Sequence, residues 1–262
     1  MTQFGIVADI HANVEALEAV LCAFDRLRIR DVFCLGDLVG YCAEPNACVV
    51  HARERAFRAI KGNHELIALG ELGFERCGLA PAQALRRTRE TLDDASRRFL
   101  TALPPSLVHE REVVLIHGSV EDVCEYMSNE DRVRRNHLAL SKRYPGANVC
   151  LFGHTHVPKA YELRNGRVIE RRADGVLPLT KEATWFINPG SVDGSRAPQR
   201  EARFAVFDDG PRTVTFHRAP YDHRKVERRA RRAGYRLPRS TLAWHASIDL
   251  AREAVARLTG DD

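Results

Sequence analysis

The stretch VCLFGHTH, residues 149–156, decides how we interpret the rest of the chain. Its four leading apolar residues predict a short buried strand. His154 and His156 follow the strand two residues apart, so their side chains project to the same side of an extended backbone. Gly153 before them lets another group approach the main chain closely. An isolated pair of this kind is more often structural than ligating, so the interpretation depends on whether other strands end in the same way.

Length and composition are those of a soluble globular protein. The chain has 262 residues, 44% of them hydrophobic and 29% charged, which is enough for one large α/β domain with a sizeable core. No run of about 18 apolar residues is present to span a membrane. The first residues do not resemble a secretory leader. The seven cysteines lack CxxC spacing, which indicates reduced thiols and a cytoplasmic protein.

Basic residues are concentrated most visibly near the end of the chain. The formal net charge is +5 and the pI is near 8.9, and a basic surface attracts polyanions. The sequence from Asp222 onward predicts a helix with the run HRKVERR, and residues 240–258 predict a last amphipathic helix. A nucleic-acid-binding arm is one interpretation. A solvated helix face is favoured, because no aromatic residues are interleaved for base stacking.

The first 65 residues alternate between predicted strands and helices. The predicted elements are, in order, a strand at 3–8, a helix capped by Asn13 that runs to about Leu27, a strand at 31–35, a helix after Pro45 and a strand at 57–61. This β-α-β-α-β order predicts a mostly parallel sheet with helices on its faces.

The rest of the chain predicts a second sheet. The predicted elements are, in order, a helix at 80–102 stopped by Pro104-Pro105, a strand at 113–116, an acidic irregular loop at 119–130 over the site, a helix at 131–143, strands at 160–163 and 167–169 around an Asn165-Gly166 turn, and strands at 185–187, 203–207 and 214–217. We therefore expect one domain over residues 1–262, with a metal-binding β-α-β half at 1–158, a second-sheet half at 159–221 and C-terminal helices at 222–262.

Polar side chains suited to metal binding follow five of the predicted strands. They are Asp9, His11, Asp37, Asn63, His64, His117, His154 and His156. Open α/β sheets place their ligand crevice at the carboxyl ends of strands. Imidazole, carboxylate and carboxamide without thiolate suit Mn, Fe, Co, Ni or Zn. These residues are more numerous than the ligands that one metal ion with an open coordination position uses. Because a carboxylate can bridge two ions, the sequence predicts two divalent metal ions.

Five ordered motifs carry a resemblance to a known family. They are Asp9-x-His11, Gly36-Asp37, Gly62-Asn63-His64-Glu65, His117-Gly118 and Gly153-His154-x-His156. On these motifs the chain resembles the calcineurin-like metallophosphoesterases, and within them the small bacterial and archaeal phosphodiesterase-like branch. The stretches GDLVGY at 36–41 and NPGSV at 188–192 also have counterparts there. The resemblance covers the chain to about residue 234. It implies a four-layer αββα sandwich of two mixed β-sheets flanked by helices.

Carried over position by position, the resemblance implies a role for each residue. Asp9, His11 and His156 would hold the first metal ion, Asn63, His117 and His154 the second, and Asp37 would bridge both. The nucleophile would be a hydroxide that bridges the ions. His64 would lie just outside the metal shell, contact a phosphate oxygen and protonate the leaving oxygen, and Asn63 would also contact substrate. Manganese is the favoured metal, with iron, zinc, nickel or cobalt as alternatives.

The chain departs from the family pattern in the loop after Asp37. Many relatives carry a second acidic residue where this chain has Gly40, although the small branch also lacks it. Cys42-Ala43 replaces a common Gly-Pro. Both departures concern the shape of the loop and leave the predicted metal ligands in place.

Several residues near the motifs have open interpretations. Glu65 is expected either to orient a metal ligand or to be the acidic residue that starts a helix. Arg196, soon after the NPGS turn, is a candidate for contact with substrate phosphate, with an exposed loop arginine as the alternative. Tyr126 is a candidate cleft residue. The remaining histidines match no motif and are expected to be structural, namely His51, His109, His137, His217, His223 and His245.

The resemblance predicts hydrolysis of a phosphodiester or of a small organic phosphate. A phosphoprotein phosphatase and a dinucleoside polyphosphate hydrolase are alternatives, because the motifs specify the displacement at phosphorus and not the groups on either side. A non-catalytic scaffold with the same fold is a third alternative, and the complete set of ligands counts against it. Nucleic-acid processing is not favoured, and no membrane partner is expected.

Overall fold

The computed structural model of the protein describes residues 3–195, 197 and 200–235. Two six-stranded sheets lie face to face, with helices on both outer faces, which confirms the predicted αββα architecture. The helices are α1 Val14–Leu27, α2 Pro45–Glu54, α3 Asn63–Leu69, α4 Leu79–Thr91, α5 Asp94–Ala102, α6 Glu130–Arg143 and α7 His223–Arg232. The strands are β1 Gln3–Val7, β2 Asp31–Cys34, β3 Arg58–Ala59, β4 Leu107–His109, β5 Val113–Leu115, β6 Val149–Leu151, β7 Lys159–Arg164, β8 Arg167–Arg171, β9 Gly175–Pro178, β10 Thr184–Asn188, β11 Ala202–Asp208 and β12 Thr213–Ala219.

Parallel strands form part of each sheet. The first sheet has the order β3-β2-β1-β11-β12-β9 and the second the order β4-β5-β6-β10-β7-β8. Neighbours among β1, β2 and β3 are parallel, as are those among β5, β6 and β10, and the other pairs are antiparallel. Parallel neighbours end at the same edge of a sheet, so the loops that carry the predicted ligands are brought side by side.

Three apolar layers hold the sandwich together. The layer between the sheets includes Phe4, Trp185 and Phe207, each no more than 2% exposed. The other two layers lie between each sheet and its own helices. A Cβ at Gly5 would lie 2.4 Å from the ring of Phe24, so glycine at this position in β1 allows α1 to pack closely on the first sheet.

Local signals placed many of the element boundaries. Oδ1 of Asn13 accepts a hydrogen bond from the N–H of Ala16 at 3.1 Å and caps α1, as predicted. Asn165 and Gly166 both have positive φ, 51° and 74°, which is the conformation that a two-residue hairpin between β7 and β8 requires. The acidic segment 119–129 contains neither helix nor strand, in agreement with the predicted loop.

Other element predictions were wrong. The single helix predicted at 80–102 is two helices in the structure, α4 and α5. The chain leaves the helical conformation at Asp93, whose Oδ1 accepts from the N–H of Ser96 at 2.6 Å and caps α5. Helix α3 and strands β4 and β9 were not predicted from the sequence. Three of the four residues of β9 are exposed, so this edge strand has no apolar run. Residues 159–221 do not form the second sheet alone, since β9, β11 and β12 complete the first.

The end of the chain is described only in part. The helix predicted from Asp222 onward is α7, which Asp222 caps by accepting from the N–H of Lys225. The helix predicted at 240–258 lies outside the described residues. Within the described part of the chain, no helix combines the length and apolar character needed to cross a bilayer.

Candidate metal centre

The loops that leave the parallel strands have an uncommon backbone conformation. Asp9, His11, Asp37, His154 and His156 all have positive φ, between 52° and 64°. For residues other than glycine such angles cost on the order of 1–3 kcal/mol each. Hydrogen bonds between the loops hold them in place: the N–H of His11 donates to the carbonyl of Asp37 at 2.8 Å, and the N–H of His154 donates to the carboxylate of Asp9 at 3.1 Å. Strain maintained in this way is typical of functional sites.

The first ligand cluster consists of Asp9, His11 and His156. The Nε2 atoms of His11 and His156 are 3.0 Å apart. Oδ1 of Asp9 lies 4.0 Å from Nε2 of His11 and 3.6 Å from Nε2 of His156. All three residues are buried, and one ligand atom from each lies within 4.8 Å of the others. A single cation can therefore contact all three side chains.

The second ligand cluster consists of Asp37, His117 and His154, again with one ligand atom from each within 4.8 Å of the others. Nε2 of His117 lies 3.2 Å from Oδ2 of Asp37 and 3.0 Å from Oδ1 of Asn63, so the carboxamide adjoins this cluster. The same Oδ2 of Asp37 is 3.7 Å from Nε2 of His11 in the first cluster. One carboxylate thus reaches both clusters.

Hydrogen bonds on the far side of two imidazoles fix which nitrogen faces the cleft. Nδ1 of His117 donates to the carbonyl of Leu35 at 2.7 Å, so Nε2 is the nitrogen that faces Asp37. Nε2 of His154 donates to the carbonyl of Cys124 at 3.0 Å, which leaves Nδ1 as the ligand atom. Metal-ligating histidines usually have such a partner for the other ring N–H.

Asp193 and Ser195 orient His156, and the sequence analysis identified neither. Nδ1 of His156 lies 2.9 Å from Oγ of Ser195 and 3.5 Å from Oδ1 of Asp193. Burial opposes the ionised form of Asp193, but His156 outweighs it and holds the pKa of this carboxyl well below its usual value. The hydroxyl of Tyr221 donates to the carbonyl of Asp193 at 2.6 Å. The signal available in the sequence was their position directly after the NPGS stretch.

That NPGS stretch supports the GHTH loop from behind. The side-chain amide of Asn188, at the end of β10, donates to the carbonyl of Gly153 at 2.7 Å and to Oγ1 of Thr155 at 3.1 Å. Its carbonyl oxygen accepts from the N–H of Gly190 at 2.8 Å. Asn188 is fully buried, so these contacts hold the loop that carries His154 and His156.

His64 touches the ligand clusters at the wall of the cleft. Its main-chain N–H donates to Oδ1 of Asp37 at 2.9 Å, and its ring lies 4.4 Å from that of His11. His64, His11 and Asp37 also offer ligand atoms within 4.8 Å of one another, so distance alone does not separate His64 from the ligands. Nδ1 of His64 is buried without a hydrogen-bond partner among the described residues. A Cβ at Gly40 would lie 2.1 Å from that Nδ1, which is a steric reason for glycine there.

Glu65 fulfils both of the roles that the sequence left open. Its carboxylate accepts from the N–H of Gly62 at 2.8 Å, which caps α3. It also accepts from the N–H of Asp37 at 2.7 Å and from that of Val39 at 3.1 Å, which holds the loop after β2. Burial raises the pKa of Glu65 to about 7, and the charge of Asp37 acts in the same direction.

Burial opposes every charge in the clusters, and neighbouring groups decide which charges persist. Burial lowers the pKa of His117, but Asp37 outweighs it and raises the value to about 9. Burial raises the pKa of Asp37, but His117 outweighs it and keeps the value well below normal. Burial raises the pKa of Asp9 to about 6 and lowers those of His11 and His154 well below normal. His11 and His154 are therefore neutral imidazoles, whereas His117 carries a proton beside the ionised carboxylate of Asp37, and a cation bound at this cluster would displace that proton.

A cleft opens over the clusters. The ring of Tyr126 stacks on that of His154 at 4.1 Å, and Tyr126 lines the cleft as expected. The candidate substrate residue Arg196 lies outside the described residues. The residues that line the cleft are Asp37, Tyr41, Asn63, His64, Arg76, Cys77, Gly78, Pro81, Cys124, Tyr126, His154 and His156.

The strand ends of this αββα sandwich bring together buried histidines, carboxylates and a carboxamide that could hold a divalent cation. Imidazole, carboxylate and carboxamide donors without thiolate suit such ions. The sequence profile of the calcineurin-like phosphoesterase superfamily domain matches residues 2–209, and the chain belongs to that superfamily. It is therefore a metal-dependent hydrolase that acts on phosphate esters.

Three proteins are similar to this chain over most of its length. A metallophosphoesterase from Sphaerobacter thermophilus is 30% identical, with a TM-score of 0.75 over 90% of this chain and 95% of that chain. The protein MJ0912 of Methanocaldococcus jannaschii is 27% identical over 230 residues, which are 86% of this chain and 90% of MJ0912. The protein PH1004 of Pyrococcus horikoshii OT3 shares the fold, with a TM-score of 0.71, 19% identity and the same coverage of 90% and 95%.

Proposed function

We propose that the protein hydrolyses phosphate esters at a site for two divalent metal ions bridged by Asp37. The observation that carries this proposal is the position of Oδ2 of Asp37, 3.2 Å from Nε2 of His117 and 3.7 Å from Nε2 of His11. The proposed ligands are Asp9, His11 and His156 for one ion, Asn63, His117 and His154 for the other, and Asp37 for both. Manganese is the proposed metal, because a set of imidazoles, carboxylates and a carboxamide without thiolate suits it.

Ions held at these positions would supply a nucleophilic water of lowered pKa and would neutralise charge on the phosphoryl group. His64 supplies the proton for the leaving oxygen. Burial holds the pKa of His64 below its usual value, although the carboxylate of Asp37 acts in the opposite direction. The negative charge of a bound phosphate also raises it, so substrate binding favours the protonated imidazole that general-acid work requires.

We propose a phosphodiester or a small organic phosphate as the substrate. The cleft over the clusters is open to solvent, so the groups on either side of phosphorus can extend out of it. A phosphoprotein phosphatase and a dinucleoside polyphosphate hydrolase remain alternatives that share the same displacement. A non-catalytic scaffold is disfavoured, since His64 and every proposed ligand are present.

Turnover of two model esters tests the proposal. We expect hydrolysis of bis-p-nitrophenyl phosphate that requires added Mn²⁺ and that is lost in Asp37→Asn. The matched control is Asp25→Asn, which changes an exposed aspartate on α1 and is expected to leave turnover intact. Hydrolysis of p-nitrophenyl phosphate alone would reject the diester assignment. Hydrolysis of neither ester by the metal-loaded protein would reject the proposed small-ester substrates and leave the alternatives named above.

A further inference from the structure

The cleft contains a cation that the proposed mechanism does not use. Arg76 lines the same cleft as Asn63, His64 and His154. Of the described residues that line the cleft, Arg76 alone is an arginine or a lysine. The planar guanidinium presents parallel N–H groups that match the oxygens of a phosphate, and charged hydrogen bonds of this kind are stronger than neutral ones.

The segment that carries Arg76 is anchored to α4. Arg76 is the last residue of a short 3₁₀ helix, Phe74–Arg76. The guanidinium groups of Arg86 and Arg89, both on α4, lie 4.9 Å and 4.6 Å from the centroid of the Phe74 ring. Cation–π contacts of this kind fix the main chain of the segment at the edge of the cleft. The side chain of Arg76 is 43% exposed, so it is accessible to a ligand that enters there.

The loop on the other side of the cleft holds the guanidinium in place. Nη2 of Arg76 donates to both carboxylate oxygens of Asp122, at 3.0 Å and 2.9 Å. Asp122 is itself fixed, because its Oδ1 also accepts from the N–H of Cys124 at 2.8 Å. The carbonyl of Cys124 in turn accepts from Nε2 of His154, a proposed metal ligand. Arg76 is thereby positioned relative to the ligand clusters by three consecutive contacts.

We propose that Arg76 binds an oxygen of the substrate phosphoryl group, with Asp122 as the residue that positions it. One nitrogen makes both contacts to Asp122, and an arginine has five N–H donors, so Arg76 can bind phosphate and keep its contact with Asp122. A phosphate monoester carries close to two negative charges near pH 7, whereas a diester carries one. Arg76 therefore favours monoesters and inorganic phosphate over diesters. This inference rests on the proposed function.

Calorimetric titration of the Mn²⁺-loaded protein with inorganic phosphate tests the inference. We expect Arg76→Ala to weaken phosphate binding about tenfold or more and Arg76→Lys to weaken it less, since the charge remains. The matched control is Arg55→Ala, because Arg55 pairs with Asp25 in an ion pair of similar exposure outside the cleft. Metal content, measured by elemental analysis, is expected to be equal in all four proteins.

Kinetics supply a second readout that a purely structural role would not change. Arg76→Ala is expected to raise KM for p-nitrophenyl phosphate more than KM for bis-p-nitrophenyl phosphate. Unchanged phosphate affinity in Arg76→Ala, an equal loss in Arg55→Ala, or no phosphate binding by the parent protein would overturn the inference. Calorimetry measures phosphate binding and does not require turnover. The proposed function is tested separately, by hydrolysis of either ester by the parent protein. Failure of the inference is therefore distinguishable from failure of the proposed function.

Discussion

Replacement of Asp37 by asparagine has an effect on the metal-free protein that depends on pH. Asp37 and His117 form a buried pair with 3.2 Å between Oδ2 and Nε2. Burial lowers the pKa of His117, but Asp37 outweighs it and raises the value from 6.5 to about 9. The protonated imidazole therefore stabilises the folded protein, and it does so mainly through this carboxylate. Asp37→Asn keeps the shape of the side chain and removes its charge.

The rise in the pKa of His117 sets the size of the expected change in stability. A rise of about 2.5 pKa units at 1.36 kcal/mol each corresponds to a contribution on the order of 3 kcal/mol. Because the pKa of His117 is higher in the folded than in the unfolded protein, this stabilisation is complete below pH 6.5 and is lost as the pH rises through about 9. Asp37→Asn is thus expected to cost about 3 kcal/mol near pH 6 and almost nothing near pH 9.5.

Thermal unfolding of chelator-treated protein at these two pH values measures the effect. A loss of about 3 kcal/mol lowers the Tm of a protein of this size by roughly 6–12 °C. Asp25→Asn, at an exposed ion pair with Arg55, serves as the control and is expected to leave Tm nearly unchanged at both pH values. Equal destabilisation by Asp37→Asn at the two pH values would refute the role assigned to the Asp37–His117 pair.

Three further predictions concern the loaded site. His64→Ala is expected to keep both metal ions and to lose about 10²–10⁴-fold in kcat. Loss of metal from this variant, measured by elemental analysis, would show that His64 is a ligand instead. In Gly40→Ala, the new Cβ would lie 2.1 Å from Nδ1 of His64, so kcat should fall while metal content persists, and an unchanged kcat would contradict the steric argument. Mn²⁺ at 100 times its Kd should add about 2.7 kcal/mol of stability to the parent protein; an equal gain in Asp37→Asn would rule against bridging.

The clustering of the side chains at the strand ends was predictable because its signals are local. Each of these side chains follows a short apolar run that predicts a buried strand, and parallel strands bring their carboxyl ends to one edge. The capping of α1 by Asn13 and the turn at Asn165-Gly166 are local in the same sense, since a few adjacent residues determine them. These parts of the fold required no knowledge of tertiary contacts.

Glu65 was open to prediction as a supporting residue because it lies inside a motif, but its contact with the main chain of Asp37, 28 positions away in the sequence, was not. Asp193 could not be predicted, because its contact with His156, 37 positions away, depends on the tertiary structure. Arg76 was missed for the same reason, since its position in the cleft depends on packing against α4 and on Asp122.

The division of strands between the sheets also lay beyond local patterns. Residues 159–221 contain six strands, and pairing alternates between the sheets: β7, β8 and β10 join the second, while β9, β11 and β12 join the first. Periodicity identifies a strand, but its neighbour depends on the whole topology. The boundary between α4 and α5 was missed because Asp93 falls within a continuous amphipathic pattern.

Anomalous diffraction from crystals grown with Mn²⁺ tests the central claim most directly. The account predicts two manganese peaks about 3.5–4 Å apart, one beside Asp9 and His156 and the other beside His117 and His154, with the carboxylate of Asp37 touching both. A cleft without manganese, or a single peak that Asp37 does not contact, would contradict it.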